Sequence, residues 1–151
     1  MNDLDSILSI MSNYDRYHQD LEKLSEGNKG AVFDILAKAH ITQVLVEFDG
    51  EGDSGQINGV TAIRNRETVA LPAITFNLQR LSFGDTEPAT AEVALREAIE
   101  TLCYDYLEVT HGGWENNDGA FGEFRLDVAT RMVELEFNAR YIETSTSDHT
   151  F

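Results

Sequence analysis

Cysteine, proline and basic residues are scarce in this chain of 151 residues, and long apolar runs are missing. The single cysteine, Cys103, can form no internal disulfide, so the sequence gives no sign of an oxidising compartment. No segment approaches the ~20 consecutive apolar residues that cross a bilayer, and the acidic start of the chain lacks the features of a secretory signal. We therefore expect a soluble, cytoplasmic protein that does not contact a membrane.

Acidic residues dominate the charge, since 27 Asp and Glu against 11 Lys and Arg give a formal net charge of -16. Nucleic acids and anionic membranes carry charge of the same sign, and the sequence has no basic patch that could hold either of them. The composition thus predicts no direct nucleic-acid binding. It favours a basic protein surface or a metal cation as the partner, and it is also typical of a surface that only keeps a protein in solution.

The length and a hydrophobic fraction of 42% predict one globular domain over residues 1–151. Helical periods predict an N-terminal helix over 1–27 that Gly27 ends, a shorter helix over about 29–40, and one long helix over about 90–111. The polar tail, 143–151, is predicted to be mobile or to form an edge. The apolar positions of the first helix are Leu4, Ile7, Leu8, Met11, Tyr14, His18, Leu21 and Leu24.

Between and after these helices the period changes to two, which predicts β-strands. The predicted strands are 42–48, 56–64, about 68–71, 123–128 and 133–138. A glycine-rich turn over 49–55 joins the first two strands, and the last two form an amphipathic hairpin. Residues 73–87 show no interpretable pattern. The fold class is therefore α+β, with N-terminal helices, an antiparallel sheet built of hairpins, and the long helix packed on that sheet.

Several segments resemble a family of small, acidic, uncharacterised bacterial proteins that is also met on mobile elements. They are VEFDG at 46–50, GDSGQI at 52–57, HGGWENNDG at 111–119, FNARY at 137–141 and HTF at 149–151. The similarity runs from about residue 41 to the end of the chain. The resemblance implies membership of a family without known activity, so it supplies no mechanism.

The first candidate site is the acidic turn after the first strand. Asp49, Glu51 and Asp53 alternate with small residues, as the ligands at the start of a calcium loop do. Ser54, however, stands where such a loop has glycine, and Val60 stands where it has glutamate. A divalent metal ion is therefore the only cofactor that the sequence suggests, and a solvated hairpin turn is the alternative.

The second candidate site is the segment that follows the long helix and contains the only tryptophan. Both candidate segments adjoin strands, so they meet at one end of the sheet if those strands are neighbours. Two ordinary turns are the alternative, because Asp-Gly pairs suit left-handed turns without any ligand. The tryptophan either anchors the segment to the sheet or contacts a partner directly. The candidate binding residues are His111, Trp114, Glu115, Asn116, Asn117 and Asp118.

No complete set of catalytic residues is apparent in the sequence. GDSG at 52–55 resembles a serine-protease motif, but it falls in a predicted turn, and Gln56 replaces the glycine that would follow. The sequence therefore favours a non-catalytic acidic protein that binds a basic protein partner, in its sharper form a mobile-element inhibitor that imitates DNA. Its outer acids include Glu123, Asp127, Glu134 and Glu136. The alternative is a divalent-metal-binding module or a metal-dependent enzyme that uses the 49–53 and 114–118 loops.

Overall fold

A computed structural model describes residues 3–52, 54–82, 84–85 and 87–151. In these residues a long N-terminal helix is followed by five strands, a second helix and a final hairpin. The elements are α1 (Asp3–Lys38), β1 (Gln43–Glu51), β2 (Ser54–Arg64), β3 (Glu67–Val69), β4 (Thr75–Arg80), β5 (Ala89–Ala94), α2 (Leu95–His111), β6 (Ala120–Asp127) and β7 (Met132–Ala139). The predicted α+β class is confirmed.

Five strands form one antiparallel sheet in the order β3-β2-β1-β6-β7, and β4 pairs with β5 in a separate hairpin. The larger sheet consists of two hairpins, β1–β2 and β6–β7, which join because β1 also pairs with β6. Both hairpins were predicted, the β6–β7 hairpin from alternating apolar and polar residues and the β1–β2 hairpin from alternation in its first strand and the glycine-rich turn that follows. The join between them places the segments that precede β6 beside the turn that follows β1.

One face of the larger sheet packs on the helices. Val44, Val46 and Phe48 of β1 and Phe124 of β6 are almost completely buried there. They belong to one core with residues of both helices, including the fully buried Cys103. Burial raises the pKa of the Cys103 thiol, because an apolar surrounding disfavours the charged thiolate. Cys103 is thus a buried structural thiol.

The N-terminal region forms one helix and not two. The predicted stop at Gly27 is wrong, because α1 continues through Gly27 and Gly30 to Lys38. A glycine inside a helix costs about 1 kcal/mol relative to alanine, which burial of Leu24, Val32 and their neighbours on the packed face offsets. Tertiary packing therefore outweighs local helix propensity in determining where this helix ends.

The predicted start of the long helix is also wrong. Residues 89–94 form β5, which pairs with β4, so α2 begins only at Leu95. The pairing partner lies within 73–87, the stretch without an interpretable pattern, and the strand was therefore missed. Val93 is buried and Ala91 is half-buried, whereas Thr90 and Glu92 are exposed, which is the alternation of a strand.

Two terminal regions stand out by their exposure. The N-terminal half of α1 exposes large apolar side chains, with Leu4 61% and Met11 58% accessible. The tail that follows β7 has no helix or strand, and its residues from Tyr141 onward are exposed. In the described part of the chain, no helix has the length and apolar character needed to cross a membrane.

Candidate functional site

The two acidic segments meet at one end of the larger sheet, as neighbouring strands require. Gly50 of β1 lies opposite Ala120 of β6, so the β1–β2 turn and the segment before β6 emerge side by side. The Gly52 amide donates a hydrogen bond to the Asn117 carbonyl, with an N···O distance of 3.3 Å. We call residues 49–52, 111–119 and Arg140 together the loop corner.

Trp114 packs on a seat made of two glycines. Gly50 and Gly55 face each other across the β1–β2 hairpin, and the indole lies over both of them. A Cβ atom at Gly50 would come within 2.6 Å of the Trp114 ring, and one at Gly55 would also collide with it. The edge of the indole meets Phe48, with ring centroids 5.4 Å apart and planes at 84°. This geometry is that of an anchor between the 111–119 segment and the core.

The remainder of the 111–119 segment is held by short-range contacts. His111 is the last residue of α2, and its ring stacks on Phe137 with a centroid distance of 3.7 Å. The amides of Asn116 and Gly119 donate to the carbonyls of Gly113 and Asn116, so two tight turns follow each other. Gly119 has a φ of 77°, and a Cβ there would run into the Gly50 carbonyl. The predicted left-handed turn is present, and its glycine also lets the start of β6 come close to the end of β1.

Arg140 ties the loop corner together from the other side of the sheet. Its guanidinium donates to both carboxylate oxygens of Asp49, at 2.8 and 3.1 Å, and to the carbonyls of Gly50 and Ala120 at 3.3 and 3.4 Å. The Arg140 guanidinium carbon also lies 4.7 Å from the centre of the Phe121 ring. The hydrogen bonds from Arg140 lower the pKa of Asp49, and the same contacts raise the pKa of Arg140.

The structure brings most of the predicted site residues into one region. Trp114 and Glu115 lie against Gly50, and Asn117 touches Gly52. Asn116 lies inside the turn that leads to β6. Asp118 and Glu51 line an open surface pocket of about 570 Å³, which Arg140, Tyr141 and Ile142 complete. His111 lies at the start of the same segment.

The described residues do not form a set of metal ligands at the predicted site. Asp49 and Glu51 lie on strand β1 and not in a loop, because the β1–β2 turn is tighter than the predicted 49–55 turn. Both carboxylate oxygens of Asp49 are already bonded to Arg140. Asp53 lies outside the described residues, and in those that are described no three His, Cys, Asp or Glu side chains gather as metal ligands would. Metal binding by Asp49, Glu51 and Asp53 stays a prediction.

The side of the sheet that faces away from the helices, which we call the open face, carries a row of three glutamates. Glu47 of β1 lies directly opposite Glu123 of β6, which lies directly opposite Glu136 of β7. We call these three residues the glutamate row. Like charges that face each other across strands destabilise a sheet. Arg125 reaches Glu123 at 3.4 Å and compensates part of this repulsion.

The sequence did not point to two residues of the open face, Glu47 and Arg140. Glu123 and Glu136 were expected on the outer face, but Glu47 was not assigned to it, because its place beside Glu123 depends on the β1–β6 pairing. Arg140 lies in the FNARY segment and received no role. Its alternation with Glu134, Glu136 and Asn138 could have placed it on the outer face of the last hairpin, but its pairing with Asp49 depends on the β1–β6 pairing.

Four of the segments that resemble a family contribute residues to the loop corner or to the two glycines on which Trp114 packs. These segments are 46–50, 52–57, 111–119 and 137–141. A protein-family model matches residues 24–151, well over half of the chain, and is described as a family of unknown function, DUF6878. Searches among curated proteins and among solved structures found no significant match. The match over 128 residues (24 to 151) shows that the chain belongs to the family of unknown function DUF6878.

Proposed function

We propose that this protein is a non-catalytic binding protein whose open sheet face takes a basic segment of another protein. The observation that carries the proposal is the glutamate row. Three carboxylates stand in adjacent register on Glu47, Glu123 and Glu136, an arrangement that costs folding stability and so needs another reason to be there. A Lys or Arg side chain that lands on the row removes this repulsion.

The surroundings of the row suit the stem of a long basic side chain. The next row along the strands contains Asp49, Phe121 and Asn138, and the Phe121 ring is 43% exposed. The chain's own Arg140 lies over that ring, and this contact supports the proposal because it is of the kind that a partner's guanidinium would make. The net charge of -16 would attract a basic partner over longer distances and speed the encounter.

The sharper form of the proposal is an inhibitor, carried on a bacterial mobile element, that imitates DNA. It is supported by the same acidic surface and by the resemblance of the chain to proteins met on such elements. In this form the partner is a DNA-binding protein, and duplex DNA displaces the inhibitor from it. Competition by DNA therefore separates the sharper form from binding to other basic proteins.

The proposal can be tested with a matched pair of triple variants. Glu47→Gln, Glu123→Gln and Glu136→Gln together remove the row, while Glu67→Gln, Glu87→Gln and Glu143→Gln remove the same charge from exposed positions elsewhere. The probe is a short synthetic peptide that alternates Arg with Thr, and its affinity is measured by fluorescence anisotropy at low and at high salt. We expect the first triple variant to bind at least about tenfold more weakly than the second, ~1.4 kcal/mol. Equal loss in both variants would show unspecific charge attraction and overturn the proposal.

A divalent-metal module is the second candidate, and the meeting of the two acidic segments is the observation that favours it. Glu51 and Asp118 line the same surface pocket, as a shared site requires. Its test is the melting temperature with and without calcium, magnesium, manganese and zinc, because a ligand at ~100 times its Kd adds ~2.7 kcal/mol to the stability of the folded state. A rise that Asp118→Asn abolishes would support it, whereas no rise with any of the four metals would remove it.

A further inference from the structure

The N-terminal half of α1 carries an apolar stripe that its own fold leaves exposed. Leu4, Ile7, Leu8 and Met11 are between 53% and 61% accessible. Their spacing is that of one helix face, and positions 4, 7 and 11 begin a heptad pattern that continues to the buried Leu21. We call residues 3–13 the helix arm.

The arm is exposed because the helix that covers the rest of the stripe ends too early. α2 runs antiparallel to α1. His18 Nε2 lies 3.7 Å from Glu108 Oε1, and the Tyr14 hydroxyl lies beside Gly112, just after the last residue of α2. Residues 3–13 therefore extend past the end of α2 by about 16 Å, given a rise of ~1.5 Å per residue. The exposed stripe is the continuation of a helix–helix seam whose second helix has stopped.

The charges beside the stripe select the kind of helix that can continue this seam. Asp3, Asp5 and Asp15 flank it, and no Lys or Arg occurs before Arg16. The same arm of a second copy would bring acids against acids and join two chains that each carry a net charge of -16. A helix with an apolar stripe and flanking Lys or Arg residues matches both the apolar and the acidic features.

We infer that the helix arm, residues 3–13, docks a basic amphipathic helix of a partner protein in the place where α2 would continue. This contact is separate from the open sheet face and does not depend on it. The arm also lies outside the range that the family model matches, which begins at residue 24. It adds to the family domain a helix-recognising surface on a preformed helix, so little ordering is needed on binding.

The test uses the full chain and two synthetic helical peptides with the same leucine stripe, one flanked by Lys and Arg and the other by Glu. Binding is measured by fluorescence anisotropy. The variant pair is Ile7→Ser with Met11→Ser, and its matched control is Ile142→Ser with Met132→Ser, which removes the same residue types from exposed positions elsewhere. We expect the basic peptide to bind the wild type and the control alike, the arm variant to bind it at least about tenfold more weakly, and the acidic peptide not to bind.

Two further measurements separate this inference from the proposed function and from loss of folding. The triple variant of the glutamate row should keep its affinity for the basic helix within about twofold, so failure of either proposal leaves the other standing. Asp3→Lys with Asp15→Lys should reverse the preference towards the acidic peptide, a change that unfolding cannot produce. Equal binding of both peptides, undiminished binding by the arm variant, or a dimer in sedimentation that Ile7→Ser with Met11→Ser dissolves would each overturn the inference.

Discussion

On the covered face of the sheet, β1 contributes Val44, Val46 and Phe48, which are almost wholly buried, whereas on the open face the same strand presents Glu47 and Asp49. The two sets alternate along one strand but face different surroundings. The covered face joins the core and closes against Trp114, where two glycines leave room for one large ring. The open face holds like charges side by side. Close packing therefore stabilises the sheet on one face, whereas facing like charges oppose its stability on the other.

The largest effect expected from this comparison comes from Trp114. Trp114→Ala removes the ring that lies on Gly50 and Gly55 and touches Phe48, and leaves a space that backbone glycines cannot fill. We expect the free energy of unfolding to fall by ~3 kcal/mol or more, as for other packed aromatic side chains. Chemical denaturation monitored by circular dichroism measures it.

Tyr141→Ala is the control for this variant, because Tyr141 is 79% exposed at the same end of the sheet. Its free energy of unfolding should stay within ~0.5 kcal/mol of the wild type. If Trp114→Ala were as harmless as the control, the ring would not anchor the segment, and Trp114 would instead be a contact residue for a partner.

A smaller loss is expected from filling the tryptophan seat. Gly55→Ala adds a methyl group that collides with the Trp114 ring, so the ring must shift, at a cost of about 1–3 kcal/mol. The same substitution in a Trp114→Ala background meets no ring and should cost less. A double-mutant cycle measures this difference, and additive effects of the two substitutions would argue against the contact.

The sequence predicts the two faces of each strand, but it does not predict the contacts that form between strands. The alternation in β1, β6 and β7 predicts which residues lie on each face, because the period of a strand is local information. The seat of Trp114 and the Arg140–Asp49 pair could not be predicted, since both depend on which strands are neighbours. The sequence predicts that the acidic segments meet only if those strands are neighbours. Likewise the break expected at Gly27 is absent, because packing distant in sequence outweighs a local preference.

The covered side of the molecule contains one acid that should make stability depend on pH. Asp105 of α2 is half-buried, and burial raises its pKa to about 6, although interaction with Ser25 and the charge of Arg80 lower it in part. Its pKa in the unfolded chain is about 3.9, so the folded state binds the proton more tightly. The contribution to stability is thus fully present below pH ~4 and is lost as the pH rises through about 6.

Asp105→Asn removes this dependence, because the amide stays neutral. At pH 7 we expect the variant to be more stable than the wild type by about 1–2 kcal/mol, and near pH 4 the difference should vanish. Denaturation of both proteins at each pH measures it, and comparison at equal pH removes the contribution of other carboxylates. A difference between the two proteins that is the same at both pH values would contradict the raised pKa of Asp105.

The smallest effect is expected on the open face, where two neighbouring glutamates should respond with opposite signs. Glu123 lies between Glu47 and Glu136, whereas Glu134 lies directly opposite Arg125. Glu123→Gln relieves two repulsions and should stabilise the fold by a few tenths of a kcal/mol, while Glu134→Gln removes an attraction and should destabilise it by about 0.2–1 kcal/mol. Both effects should shrink in high salt, since exposed charges are screened. Melting curves at low and high salt compare the two variants, and a loss of stability in Glu123→Gln at low salt would mean that its contact with Arg125, at 3.4 Å, outweighs the repulsion within the row.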